Sequence, residues 1–364
     1  MKIEKMRLRN YRNYRDVQLY FESGIHLIVG KNAQGKTNLL EAILYLSTTR
    51  SHRIQEDKEL IYNGQDSFII DSFIKKKDTS FEQRICVNEK GKNLFIYHTP
   101  IRKVSNFIGE FNAIMFCPDD MRLFHSSPRI RRKFIDMELS KISKQYTSTL
   151  TTFHRLLRER NSYLKKEKVD IQFLNVLTEQ MIHHQTLIIK QRHQFLWNLL
   201  KYCKPFYEEL SQDCTELSFE YISCVPYDDI KVMEETLRNK YKKTLDRDLM
   251  IKQTTVGIHK EDFMLLLNGK EIESFASQGQ KRSVLLSLKV GIVHMIHSII
   301  KEYPVLLLDD VFSELDVFRR QTLLLSLPKE VQIFISTTEV MDIPCLEDRK
   351  FHIWKVENGC ISKQ

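Results

Sequence analysis

Gly30-Lys31-Asn32-Ala33-Gln34-Gly35-Lys36-Thr37 fits the pattern G-x-x-x-x-G-K-[ST]. What flanks it decides the fold. The apolar run Ile25–Val29 before it reads as a short buried strand, and Leu39, Leu40, Ile43 and Leu44 after it recur at helical spacing. A strand, a glycine loop and a helix are the parts of a phosphate cradle. The glycines let the backbone curl until successive N–H groups face an anion. Lys36 brings a positive charge to the β- and γ-phosphates, and the Thr37 hydroxyl suits Mg²⁺. The helix N-terminus favours the same anion. Gly30, Lys31, Asn32, Ala33, Gln34, Gly35, Lys36 and Thr37 are therefore the candidate nucleotide-binding residues, with ATP and Mg²⁺ as the expected ligands.

Farther along, Val305-Leu306-Leu307-Leu308-Asp309-Asp310 sets four apolar residues before two carboxylates. A buried parallel strand reads this way. Asp309 at its end is expected to hold Mg²⁺ through water, and Asp310 to orient or deprotonate the attacking water. Lys36, Asp309 and Asp310 are thus the candidate catalytic residues, and Thr37 and Asp309 the candidate metal ligands. Ser277-Gln278-Gly279-Gln280 precedes a helix predicted from about 280 to 301 that carries Lys281 and Arg282. A serine hydroxyl and a glycine amide at a helix start form a phosphate-binding end; taken alone, the same serine is an ordinary N-cap. The order of elements carries more information. Phosphate loop, Ser-x-Gly-Gln, acidic strand end and then Ser313-Glu314-Leu315-Asp316 is similar to the order in ABC-type ATPases. In that class the Ser-x-Gly-Gln of one protomer caps the γ-phosphate held by the loop of the other. The resemblance implies that Ser277, Gly279 and Gln280 are nucleotide contacts across an ATP-dependent homodimer.

Around these motifs the texture changes twice. Ile3, Met6 and Leu8, then Val17, Leu19 and Phe21, predict half-buried strands, and a less regular β-rich stretch follows to about Tyr97. No glycine occurs from Glu110 to Val256. Within that span Ile135, Leu139, Ile142 and Tyr146 mark one helical stripe. Leu174, Leu177, Met181 and His184 mark a second, continued by Leu187, Ile188, Leu196, Leu199 and Leu200. Pro205 is expected to close the second long helix, and strands are expected to resume after about Ser211. The arrangement predicts a head of residues 1–125 with 213–364, interrupted by a helical arm at 126–212.

Of 364 residues, 42% are apolar, which excludes wholesale disorder. The formal charge is +9, and 17 Lys and Arg against 9 Asp and Glu fall between Asp120 and Gln212. That basic quarter fits an anionic partner. Cys86, Cys117, Cys203, Cys214, Cys224, Cys345 and Cys360 form no CxxC, so neither a zinc site nor a redox pair is supported, and reduced thiols are expected. The N-terminus lacks the apolar core of a signal peptide. No run reaches 18 apolar residues, so no membrane span and a cytoplasmic location are expected.

Longer stretches sharpen the assignment. Leu8-Arg9-Asn10-Tyr11-Arg12-Asn13-Tyr14, Gly35-Lys36-Thr37-Asn38-Leu39-Leu40-Glu41-Ala42, Thr49-Arg50-Ser51-His52-Arg53, Phe116-Cys117-Pro118-Asp119-Asp120, Arg131-Arg132-Lys133-Phe134-Ile135-Asp136, Ser277–Arg282 and Leu306–Asp316 are all similar to the RecF family of bacterial recombination and gap-repair ATPases. The matches run from the first strand to about Thr338. They imply an α/β fold: an ABC-type, SMC-like ATPase head with mixed sheets plus a helical arm. They also imply an ATP-dependent DNA-binding protein of recombinational repair and replication-fork maintenance, acting in the response to DNA damage. Double-stranded and gapped DNA, RecR with RecO, recombinase loading and association with the nucleoid follow from the same resemblance. Asp310, where transporters of the class carry Glu, is typical of the family. A shorter carboxylate reaches water less well, which suits a weak, DNA-stimulated ATPase used as a switch. Gly257-Ile258-His259-Lys260-Glu261-Asp262 departs from the family's G-P-H-R-D-D, and Lys260 cannot copy a bidentate arginine contact.

Basic residues outside the motifs each have two readings. Arg50, His52 and Arg53, and likewise Arg129, Arg131, Arg132 and Lys133, fit contacts to nucleotide or DNA phosphate, or else a solvated loop and helix start. Lys165, Lys166 and Lys168 read as a helix-end turn. His183 and His184 lack a spaced Glu or Cys partner, so a metal role is not supported. Thr337 and Thr338 stand where transporter ATPases carry a switch histidine. Among other ATPases, SMC proteins need coiled coils of hundreds of residues. Transporter subunits carry a smaller, less basic insert, and a nuclease of the overcoming-lysogenisation type needs a metal domain for which no length remains.

Overall fold

The strand that enters the phosphate loop, Ile25–Val29, lies inside a parallel sheet. The computed structural model describes residues 1–211, 215–339 and 349–364. In that sheet the order is Phe351–Glu357, Ile25–Val29, Ile333–Thr337, Val305–Asp309 and Ala113–Phe116, all parallel, with Cys360–Lys363 antiparallel on the outer edge. Leu306, Leu307 and Leu308 are almost completely enclosed, as strands covered on both faces must be. A second, antiparallel sheet runs Tyr14–Tyr20, Lys2–Tyr11, Ser67–Lys75, Ser80–Asn88, Gly91–Ile96 and Thr99–Pro100. It alternates, burying Ile3, Met6, Leu8, Phe68, Ile70 and Ile85 and leaving Lys5, Arg7, Asp71 and Arg84 on the other face.

Helix Lys36–Thr48 joins the two sheets into one core. It is buried on every side, and Leu39, Leu40, Ile43 and Leu44 share one apolar cluster with Ile3, Leu8 and Phe68 of the antiparallel sheet and with Ile28, Leu307 and Phe334 of the parallel one. A 13-residue helix enclosed in this way has little freedom to shift, so the phosphate loop at its N-terminus is anchored. Glu41, fully buried on this helix, accepts two hydrogen bonds from Arg12 at 2.9 and 3.1 Å. Burial raises its pKa, but Arg12 and the Ser51 hydroxyl outweigh that and hold it below the usual carboxylate value.

The chain forms two compact units, one of residues 1–121, 202–214 and 282–364 and one of residues 122–201 and 215–281. The second is larger than the expected arm of 126–212. It includes 215–281, which the sequence had placed with the head, and the expected boundary at 212/213 lies outside the described residues. Buried ion pairs link this stretch to the arm helices. Arg160 donates to Asp248 (2.8 Å), Thr254 (2.7 Å) and Thr178 (3.0 Å) with essentially no exposure. Arg192 donates to Asp136 and Glu261 at 2.8 and 3.1 Å. These pairs tie helix Ile230–Ile251 and Glu261, which leads into strand Asp262–Leu267, to the arm helices, and strands Leu217–Ile222 and Lys270–Glu271 pair with Asp262–Leu267.

Three local expectations change. The first helical stripe is broken at Ser143, whose hydroxyl caps Lys144–Tyr163 after Pro128–Ile142. Pro205 does not end its helix, which runs from Ile171 to Ser211. Helix Ile230–Ile251 replaces part of the expected strand region; it buries only Met233, Leu237, Tyr241 and Asp248, too sparse a stripe to read. Among the described residues one helix, Gln278–Ile300, is long and apolar enough to cross a membrane (mean hydropathy 1.7), and 72% of that window is buried within the protein, as in a core helix. Cys86, Cys117, Cys203, Cys224 and Cys360 are free thiols, while Cys214 and Cys345 lie outside the described residues.

Candidate functional site

Gly35 is the pivot of the phosphate loop. Its φ of +122° is open to glycine, and a Cβ there would sit 2.5 Å from Asn13 Nδ2. Ala33 is also left-handed, at φ +65°. The loop is held from outside. Asn13 Nδ2 donates to Gln34 O (2.8 Å), Tyr14 OH to Gly35 O (2.8 Å), and Asn38 Nδ2 to Asn13 Oδ1 (2.9 Å). From the C-terminal hairpin, Asn358 N donates to Gln34 Oε1 (2.6 Å) and Gly359 N to Gln34 O (3.2 Å). Two turns far apart in sequence thus fix the curl of the loop. Lys31, Asn32 and Ala33 stay exposed, and Lys36 is buried, its ammonium donating to Gly30 O at 2.7 Å and Lys31 O at 3.1 Å.

The parallel sheet brings the acidic strand end to this loop. Thr37 Oγ1 donates to Asp309 Oδ1 at 3.0 Å across 272 residues of sequence. Ser336 Oγ donates to the same oxygen at 2.7 Å. Asp309 is 5% exposed, and burial raises its pKa above the usual carboxylate value against the pull of the Ser336 and Thr37 hydroxyls. Asp310 leaves the strand with φ +53°, its N–H donating to Ser336 Oγ and its carbonyl accepting from Ser313 Oγ. A hydroxyl and a carboxylate this close are hard oxygen donors of the kind Mg²⁺ takes alongside phosphate and water, so Thr37 and Asp309 fit the ion. When bound it would neutralise phosphate charge.

Ser277 and Gln280 form a capping box. Gln280 N donates to Ser277 Oγ (3.2 Å) and Ser277 N to Gln280 Oε1 (2.9 Å), satisfying two helix-start amides reciprocally. Ser277 is exposed, and Gly279 and Gln280 are half-buried. Downstream, Arg282 pairs with Glu314 at 3.2 Å, and Asp316 caps helix Val317–Ser326 through Arg319 N.

Several basic candidates are committed to the fold. Arg131 grips Asp262 with two bonds of 2.8 and 2.7 Å, and Arg132 donates to Glu261 O. Arg129 and Lys133 are exposed. In the Gly257–Asp262 stretch Glu261 is the hub, accepting from Arg192, Tyr221, Ser223 and the Cys224 amide. Lys260, one of the departures from the family pattern, is exposed, and Ile258 is buried. Thr337 is buried with its hydroxyl donating to Glu339 O, and Thr338 is exposed. His52 is half-buried, with burial lowering its pKa, and Arg50 and Arg53 are exposed. Sequence reading did not identify Ser336, Tyr14 or the Asn358-Gly359 turn as parts of the site. Only the Asn-Gly pair carried a signal, that of a hairpin turn.

The AAA ATPase domain family matches residues 1–318. The DNA replication and repair protein RecF of Streptococcus gordonii is 38% identical over 362 residues, covering 99% of this chain and 100% of the relative. That of Bacillus subtilis is 35% identical over 370 residues with both chains fully covered. A solved structure of the recombination mediator protein RecF with ATP, in the RecFOR pathway, superposes with a TM-score of 0.92 at 32% identity, covering 100% of this chain and 99% of that one. The Smc head domain of Pyrococcus furiosus shares the fold at a TM-score of 0.55 and 16% identity, covering 100% of this chain and 95% of that one.

Proposed function

The chain belongs to the RecF family of DNA replication and repair proteins, and from that membership we propose that it is an ATP-switched DNA clamp. Gly30–Thr37 holds the phosphates of ATP, Thr37 and Asp309 hold Mg²⁺, and Asp310 orients the water for a slow hydrolysis. The observation that carries this reading is the 3.0 Å approach of Thr37 Oγ1, at the end of the Gly30–Thr37 loop, to Asp309 Oδ1, at the end of an apolar strand, the two positions that hold a nucleotide-bound cation in such sites. The relative solved with ATP supports the choice of nucleotide.

Ser277, Gly279 and Gln280 supply the second half of the site to another copy, so that ATP binding closes a homodimer. The exposure of Ser277 at a helix start supports this role. The closed dimer grips double-stranded DNA beside gaps, and hydrolysis releases it. The RecFOR context of the relatives supports RecR and RecO as partners, recombinase loading as the outcome, and the cytoplasm, at the nucleoid, as the place.

Lys36→Ala tests the switch. Sedimentation velocity with ATP and Mg²⁺ should show a dimer for the natural chain and a monomer for the variant; a variant that still dimerises with ATP refutes the shared site. Binding to gapped, blunt and single-stranded DNA with and without ATP then establishes which DNA the closed form prefers.

A further inference from the structure

Ser336 is wholly enclosed at the end of strand Ile333–Thr337, between the strand entering the phosphate loop and the strand ending in Asp309. Its register neighbours are Ile28 on one side and Asp309 on the other. One hydroxyl serves both carboxylate residues: it donates to Asp309 Oδ1 at 2.7 Å and accepts from Asp310 N at 2.9 Å. The first bond orients the carboxylate that Thr37 also contacts at 3.0 Å. The second holds the amide of Asp310, whose φ of +53° lies in the left-handed region that aspartate enters more readily than most non-glycine residues. Alanine here would leave the Asp310 amide without that partner and the Asp309 carboxylate with one hydroxyl instead of two.

We propose that Ser336 is a positioning residue of the nucleotide site, setting Asp309 for the cation and Asp310 for the water at once. This rests on the roles proposed for those two carboxylates. Bonds that orient a metal's ligands are worth about 10–100-fold in metal affinity or activity.

The test uses the full chain with Ser336→Ala and Ser336→Cys, the second keeping the volume with a weaker donor, and thermal unfolding to establish that each is folded. Binding of a fluorescent non-hydrolysable ATP analogue is measured with Mg²⁺ and with chelator, and kcat and KM are measured separately. The folded variants should match the natural chain in chelator, lose about tenfold of the affinity that Mg²⁺ adds, and drop in kcat by about 10–100-fold. A folded variant within twofold of the natural chain in both the Mg²⁺ effect and kcat overturns the proposal. A natural chain whose analogue binding ignores Mg²⁺ instead overturns the cation site itself, and the positioning role with it.

Discussion

Gly35 shows how much one residue contributes. Its left-handed backbone strains any residue with a Cβ, and a Cβ there would displace the Asn13 amide, which lies at 2.5 Å and holds the loop. Gly35→Ala should open the loop at a strain cost of about 1–3 kcal/mol and lower ATP affinity at least tenfold, measured by calorimetric titration, while the unfolding midpoint falls by only a few degrees. His26 makes a different prediction. It stacks on Phe334 and His352 and accepts a bond from Trp354 Nε1 at 3.1 Å. Burial pushes its pKa down to about 3, against about 6.5 unfolded. Between those values the unfolded chain binds a proton that the folded chain refuses, so stability falls as pH drops below about 6.5. From pH 7.5 to 5.5 the natural chain should lose about 1 kcal/mol more than His26→Gln in urea unfolding. Equal losses would show that His26 does not titrate in this way.

At the scale of elements, the site depends on where helices start and strands end. The phosphate loop and the Ser277–Gln280 element both lie at helix N-termini, and both carboxylates lie at or just beyond the C-terminal edge of the parallel sheet. That edge is where open α/β sheets place ligands. The buried pairs of the arm unit work differently, since they join elements without chemistry of their own. Arg160→Ala leaves Asp248 buried and uncompensated and should cost about 3–5 kcal/mol. The check is a chemical denaturation curve with helical circular dichroism as the probe; a loss under 1 kcal/mol would show that water reaches Asp248.

At the scale of the whole molecule, the net charge of +9 is the expected source of the proposed DNA affinity. If the closed dimer neutralises DNA phosphates, affinity should fall steeply with salt, by about 10³-fold or more between 50 and 200 mM for six or more contacts. Because Arg131 and Arg132 are bonded to Asp262 and Glu261 O, Arg129→Ala should lower DNA affinity without loss of stability, whereas Arg131→Ala should destabilise the fold. Filter binding and thermal unfolding separate the two. A flat salt response would remove the basic arm from the DNA interface.

The sequence by itself determined the phosphate loop, the acidic strand end, the Ser-x-Gly-Gln helix start and the α/β class. Each is contiguous, and its residue types and spacing dictate a backbone path wherever it lies. The tertiary structure alone decided which residues support them: Ser336 between two carboxylates, Tyr14 and Asn358-Gly359 around the loop, and Arg160 and Arg192 drawing 215–281 onto the arm. It also kept Pro205 inside a helix. The reason is physical. A buried polar side chain is tolerated only where its partner arrives, and that partner comes from an element tens to hundreds of residues away that no local pattern announces.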